Sequence, residues 1–161
     1  MTTEKQALAA AIEGLYEMFS AYPLAAKIDG CPCCVSDQDE SSLHRKPLHE
    51  LTAEDLSRYA FNALTTWGTK NDFKHFLPRL FELVPEPEGI TWELDIEVLF
   101  GKLRYGKWET WPEGEQKAIR RYLVSLCRFA LSLPADDYMV DEYLGGIEQA
   151  EDDISSYLDA V

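Results

Sequence analysis

Three of the four cysteines stand in one four-residue stretch, Cys31-Pro32-Cys33-Cys34. Cys31 and Cys34 have the Cys-x-x-Cys spacing, which lets two sulfurs meet across one tight turn, and Gly30 and Pro32 suit such a turn. Three uses of the cluster follow. It can hold a structural metal, for which zinc bound by thiolates and imidazole is the simplest choice. It can run thiol chemistry, with Cys31 or Cys34 as nucleophile and a nearby basic group lowering its pKa. Or the thiols stay unligated in a partly buried loop. The leading expectation is a structural zinc on Cys31, Cys33, Cys34 and His44. His44 follows the cluster across a polar stretch and is the nearest imidazole. His75, held on a helix beside Phe73 and Phe76, is the next choice, and His49 the last. Each histidine also has a plain reading: His44 and His49 as exposed loop residues, His75 as a satisfied half-buried one. Cys127, beside Leu126 and Phe129, reads as a core thiol.

The elements that must position these residues read as helices. Thr3 and Gln6 form a capping-box pair, and Leu8, Ile12, Leu15, Tyr16 and Phe19 recur at helical spacing up to Tyr22-Pro23. Periodicity then fails over residues 23–51, a loop long enough to need a function, a staple or a ligand. A second helix is expected after the N-cap Thr52, with a stripe from Leu56 to Trp67 and a stop at Gly68. Asp72 would cap a third, with Phe73, Phe76, Leu77, Leu80, Phe81 and Val84 on one face and Pro78 inside. A fourth follows Thr91 and carries Trp92, Ile96, Leu99, Phe100 and Leu103. Thr110 and Glu113 suggest a second capping box for a fifth helix that stops at Pro134. The last starts near Asp136, and Gly145-Gly146 threatens to divide it. No stretch alternates as a strand would, so the expectation is an all-α single domain over residues 1–161. Its form would be an antiparallel bundle or short helical-hairpin stack, with the cysteines in the long loop after the first helix. A thioredoxin-like reading lacks the strands it needs.

Bulk composition narrows the function. The chain has 161 residues, 46% of them apolar, and a net charge of -14, which is a globular and acidic composition. That charge argues against nucleic acid or anionic lipid as partner, since neutralising phosphate needs clustered Lys and Arg. No apolar run reaches the length of a membrane span, and Met1 to Lys5 do not open like a secretory signal. With clustered thiols that do not form a disulfide scaffold, a cytoplasmic location is expected. Residues 135–161 hold nine acids and no Lys or Arg. This acidic C-terminal helix either pairs with the mildly basic stretch around residues 102–128 or offers a face to a basic partner. Trp108 and Trp111, with Tyr105 and neighbouring basic residues, read as a loop pinned to the core or as an aromatic contact surface. Phosphate-loop, nucleophile-elbow, zinc-protease and di-iron motifs are absent.

The stretch Ile28-Asp29-Gly30-Cys31-Pro32-Cys33-Cys34-Val35, followed by Leu51-Thr52-Ala53-Glu54-Asp55-Leu56-Ser57-Arg58-Tyr59-Ala60 and Asp72-Phe73-Lys74-His75-Phe76-Leu77-Pro78-Arg79-Leu80, resembles a family of uncharacterised bacterial proteins. The likeness covers roughly residues 15 to 84 and implies a bacterial cytosolic protein with no assigned activity. The function expected first is therefore non-catalytic: a metal-stabilised adaptor, inhibitor or immunity-like protein with an acidic face for a basic protein. The alternative is a thiol-redox or metal-handling protein that uses Cys31, Cys33 and Cys34.

Overall fold

The computed structural model describes residues 2–86 and 94–159. These form eight α-helices: α1 (Thr3–Phe19), α2 (Asp37–His44), α3 (Ala53–Asn62), α4 (Lys70–Leu83), α5 (Ile96–Tyr105), α6 (Glu113–Ser132), α7 (Met139–Ala150) and α8 (Ser155–Asp159). Short 3-10 turns lie at Leu48–Glu50 and Trp108–Thr110. The described residues contain no strand, only isolated bridges that Trp67 makes with Gly30 and Ala63, so the fold is all-α. None of the described helices is long and apolar enough to cross a membrane. Residues 1–18 with 96–161 make one compact unit, and residues 19–95 make a second.

The unit of residues 19–95 is built on one repeated device. Ser36, Thr52 and Thr69 each cap a helix and are capped in return by the acid three residues on, Asp39, Asp55 and Asp72. Each box satisfies amide donors that a helix start would leave orphaned. Asp72 is thus the reciprocal partner of a cap at Thr69 rather than the cap itself. The first box also places α2 inside the stretch read as a structureless loop. Tyr59 packs between Trp67 and Phe76, with ring centroids 5.5 and 4.7 Å away, at the centre of a core that includes Leu43, Leu51, Leu56 and Leu80. Pro78 sits within α4 without ending it, buried among its apolar neighbours.

The stripe expected to run to Trp67 stops early. α3 ends at Asn62, whose carbonyl accepts the N–H groups of Thr65, Thr66 and Trp67, and Leu64 takes a left-handed conformation at φ 68°. The chain folds back instead of continuing as helix. Trp67 is still buried, but in a return loop, and this position matters for the cysteines.

In the other unit α5, α6 and α7 pack together, and α8 rests on α6. Gly145-Gly146 does not break α7. A Cβ on Gly146 would lie 2.3 Å from Ile96 Cγ2 and 3.0 Å from Phe100, so the bare backbone is what lets α5 approach. The helical run breaks later, between Ala150 and Ser155. α1 begins one residue earlier in its cap than expected, since Thr2 accepts from Gln6 through its carbonyl and from Lys5 through its hydroxyl. The second expected capping box is also absent: Pro112 precedes α6 without a side-chain cap, and Thr110 donates to the Lys107 carbonyl. The expected start of the fourth helix at Thr91 and Trp92 lies outside the described residues.

Trp108 and Trp111 are buried. Their indole N–H groups donate to the carbonyls of Ala150 and Gly106, each at 2.9 Å. Arg104 donates to the carbonyls of Glu148 and Gln149 and pairs with Asp152. Three successive carbonyls at the end of α7 are thereby capped by side chains, with a cation at the negative end of the helix dipole. The acidic C-terminal segment is engaged here by a basic residue of its own unit.

Candidate dithiol site

The cysteine turn is fastened to the return loop after α3. Cys31 N–H donates to the Thr66 carbonyl at 2.7 Å, Gly68 N–H donates to the Asp29 carbonyl at 2.7 Å, and Gly30 stands opposite Trp67. A Cβ on Gly30 would lie 3.0 Å from Val35 and 3.1 Å from the Trp67 indole, so this close stacking calls for glycine. Leu64 holds its left-handed geometry in the same return loop. Such backbone costs about 1–2 kcal/mol for a residue with a Cβ and persists only where surrounding contacts enforce it.

The turn itself is one helical coil. Cys34 N–H and Val35 N–H both donate to the Cys31 carbonyl at 2.9 Å. From the far side Arg58 reaches across from α3. It donates to the Cys34 carbonyl at 2.8 Å and pairs with Asp39 at 3.3 Å. Glu40 locks the floor: its carboxylate accepts from Ile28 N–H at 2.8 Å, from the Trp67 indole at 3.2 Å and from His44 Nε2 at 2.6 Å. The backbone of the turn is thus hydrogen-bonded at Cys31 and at Cys34, while its thiols are left accessible. Cys33 is exposed, Cys31 and Cys34 are half-buried, and all are free thiols.

The electrostatics separate the two outer thiols. Hydrogen bonding, first from the Cys33 backbone and then from the Cys34 side chain, holds the Cys31 pKa below the usual thiol value. Cys34 is shifted the other way, first because its hydrogen is engaged by Cys31, then by burial. The nearby Arg58 charge only partly opposes that rise. The two shifts run in opposite directions, down at Cys31 and up at Cys34. Cys127 is buried in α6 and burial pushes its thiol up, which makes it an inert reference.

The histidines named by the sequence are engaged elsewhere. His44 lies on α2 against Glu40, and His49 is in the 3-10 turn at Leu48–Glu50. His75 Nδ1 bonds the Tyr22 carbonyl at 2.9 Å; a carbonyl only accepts, so Nδ1 carries the hydrogen. Among the described residues no group of three or more His, Cys, Asp or Glu side chains is arranged to hold a metal ion. Cys31 and Cys34 are brought together, and His44 is drawn to Glu40.

Arg58, Glu40 and Thr66 went unrecognised in the sequence. Glu40 looked like part of a solvated acidic run, and nothing marks Arg58 or Thr66 as neighbours of the thiols. One signal was present: Ser36-x-x-Asp39 is a capping box that fixes where the turn must end and α2 begin. No protein family, curated protein or solved structure matches the chain.

Proposed function

We propose that the protein carries out thiol–disulfide exchange through Cys31 and Cys34. The observation that carries this reading is that Cys31 and Cys34, both half-buried free thiols, stand at the two ends of one helical coil that Thr66 and Arg58 tie down by its backbone. Cys31 thiolate would attack one sulfur of a substrate disulfide, forming a mixed disulfide and expelling the other half as a thiolate that takes a proton from solvent. Cys34 would then lose its proton and attack Cys31 sulfur, closing the Cys31–Cys34 bond and releasing the second half as a thiol. The protein dithiol is oxidised by two electrons and the substrate disulfide is reduced to two thiols.

The test is treatment of the reduced protein with a small disulfide, followed by peptide mapping. A Cys31–Cys34 bond is expected, with a trapped mixed disulfide on Cys31 in Cys34→Ser. Exclusive modification of Cys33, with no internal bond, would reject the reading. A structural zinc on Cys31, Cys33, Cys34 and His44 asks His44 to leave Glu40. One zinc per chain that blocks oxidation and is lost in Cys31→Ser/Cys34→Ser would favour it instead.

A second reading, binding of a basic protein, is favoured by the exposure of Asp141, Glu142, Glu148 and Asp153 on and just after α7. Retention on a poly-lysine support that survives in Asp141→Asn/Glu142→Gln/Glu148→Gln would remove that support.

A further inference from the structure

A solvent-open groove of about 330 Å³ runs along the cysteine turn. Gly30 and Pro32, the two chain neighbours of Cys31, form part of its wall, which puts the groove next to the Cys31 backbone. Its surface has two characters. Ile28, Pro32 and Val35 give it an apolar strip, and Asp37 and Glu40 place carboxylates along it. Lys27 is its one basic lining residue. Charge around the groove is unbalanced in the same sense. From Lys27 to Glu40 the chain carries four carboxylates, on Asp29, Asp37, Asp39 and Glu40, and one Lys. Arg58 adds a second cation, already paired with Asp39. The whole chain, at -14, extends that negative field.

On the dithiol reading, we infer that the groove selects a disulfide set in a basic polypeptide segment, with Lys or Arg beside the reacting cysteine. The hydrocarbon stems of those side chains cover Pro32 and Val35 while their charged ends approach the exposed Asp37. Exchange also releases a thiolate, and a cation next to the leaving sulfur lowers its pKa and speeds departure. An anionic disulfide such as oxidised glutathione meets repulsion at the same place. A field of this kind acts on the encounter rate and weakens with salt.

The test measures second-order exchange rates of the full chain with three disulfides. Two are symmetric peptides differing only in residues flanking cysteine, Lys-Cys-Lys and Glu-Cys-Glu; the third is the small dication cystamine. Each rate is divided by that of the same disulfide with a neutral small thiol, which removes intrinsic reactivity. The normalised Lys peptide should react about tenfold faster than the Glu peptide at low ionic strength. The ratio should shrink severalfold in about 0.5 M salt, where screening acts within a few ångströms. Asp37→Lys, at an exposed position, should narrow it by about threefold. A normalised ratio of one or less, or one indifferent to salt and to Asp37→Lys, overturns the inference while leaving the dithiol chemistry standing. Cystamine accelerated as much as the Lys peptide overturns the polypeptide assignment. No exchange with any of the three overturns the dithiol reading itself, and the inference with it.

Discussion

The cysteine turn and the tryptophan cluster at the end of α7 are both polar, aromatic-backed sites, yet they leave their reactive groups in opposite conditions. At the tryptophan cluster, Arg104, Trp108 and Trp111 direct their donors to backbone carbonyls of their own unit. Their hydrogen-bonding groups are occupied by the fold. At the cysteine turn the backbone is the part that is occupied. Thr66, Arg58 and Glu40 secure its amides and carbonyls, while the sulfurs remain accessible. Residue types common in binding sites serve stability in the first case, and ordinary packing residues hold accessible thiols in place in the second. What separates them is which atoms the fold satisfies.

Removing the aromatic behind each site sharpens this contrast most. Trp67→Ala and Trp108→Ala should each cost about 3–5 kcal/mol in urea unfolding, as for other buried large-to-small changes. Only Trp67→Ala should also abolish the difference in alkylation rate between Cys31 and Cys33 in the folded protein. Equal loss in both variants would break the comparison.

Next in size is Glu40→Ala, which orphans the Ile28 amide and the Trp67 indole and should cost roughly 2–4 kcal/mol. Arg104→Ala should cost about 1 kcal/mol, because Arg104 is half exposed and its pair with Asp152 is screened. Chemical denaturation of both variants checks the order.

A smaller effect is set by pH. Burial holds the His75 pKa below its ordinary value of 6.5, so the unfolded chain binds its proton more readily. The stability from neutral His75 is present above pH 6.5 and is lost as pH falls through the lower folded pKa. Between pH 7.5 and 5.5 the melting temperature should drop more in the natural chain than in His75→Gln. The smallest change is a gain. Lys107 is exposed at φ 55°, and Lys107→Gly should stabilise by about 0.5–1 kcal/mol, read as a small rise in melting temperature.

Much of the fold was legible in the sequence. Apolar stripes at helical spacing identified α1, α4 and α6 and most of the apolar residues they bury, because burial of one helix face leaves a periodic trace. The failures were at ends and returns. The Leu56–Trp67 stripe hid a reversal at Leu64, since a Leu in left-handed backbone looks like any other Leu. Gly146 reads as a breaker by propensity, whereas its tertiary role is to admit Ile96 and Phe100. For the site, cysteine spacing pointed to a turn at Cys31–Cys34, while the His44 expected beside it is drawn to Glu40. Arg58 and Thr66, which fasten the turn, lie 24 and 35 positions from their partners Cys34 and Cys31, with no local pattern to betray them.

The dithiol proposal requires Cys31 to be the more acidic and more reactive thiol of the Cys31–Cys34 pair. Alkylation rates at each cysteine, followed by mass spectrometry across pH in the natural chain and in Cys34→Ala, test it most directly. Cys31 should react with a lower apparent pKa than Cys34, that value should rise in Cys34→Ala, and Cys127 should stay unreactive until the protein unfolds. A Cys31 profile indistinguishable from that of Cys34, and unchanged in Cys34→Ala, would contradict the proposal.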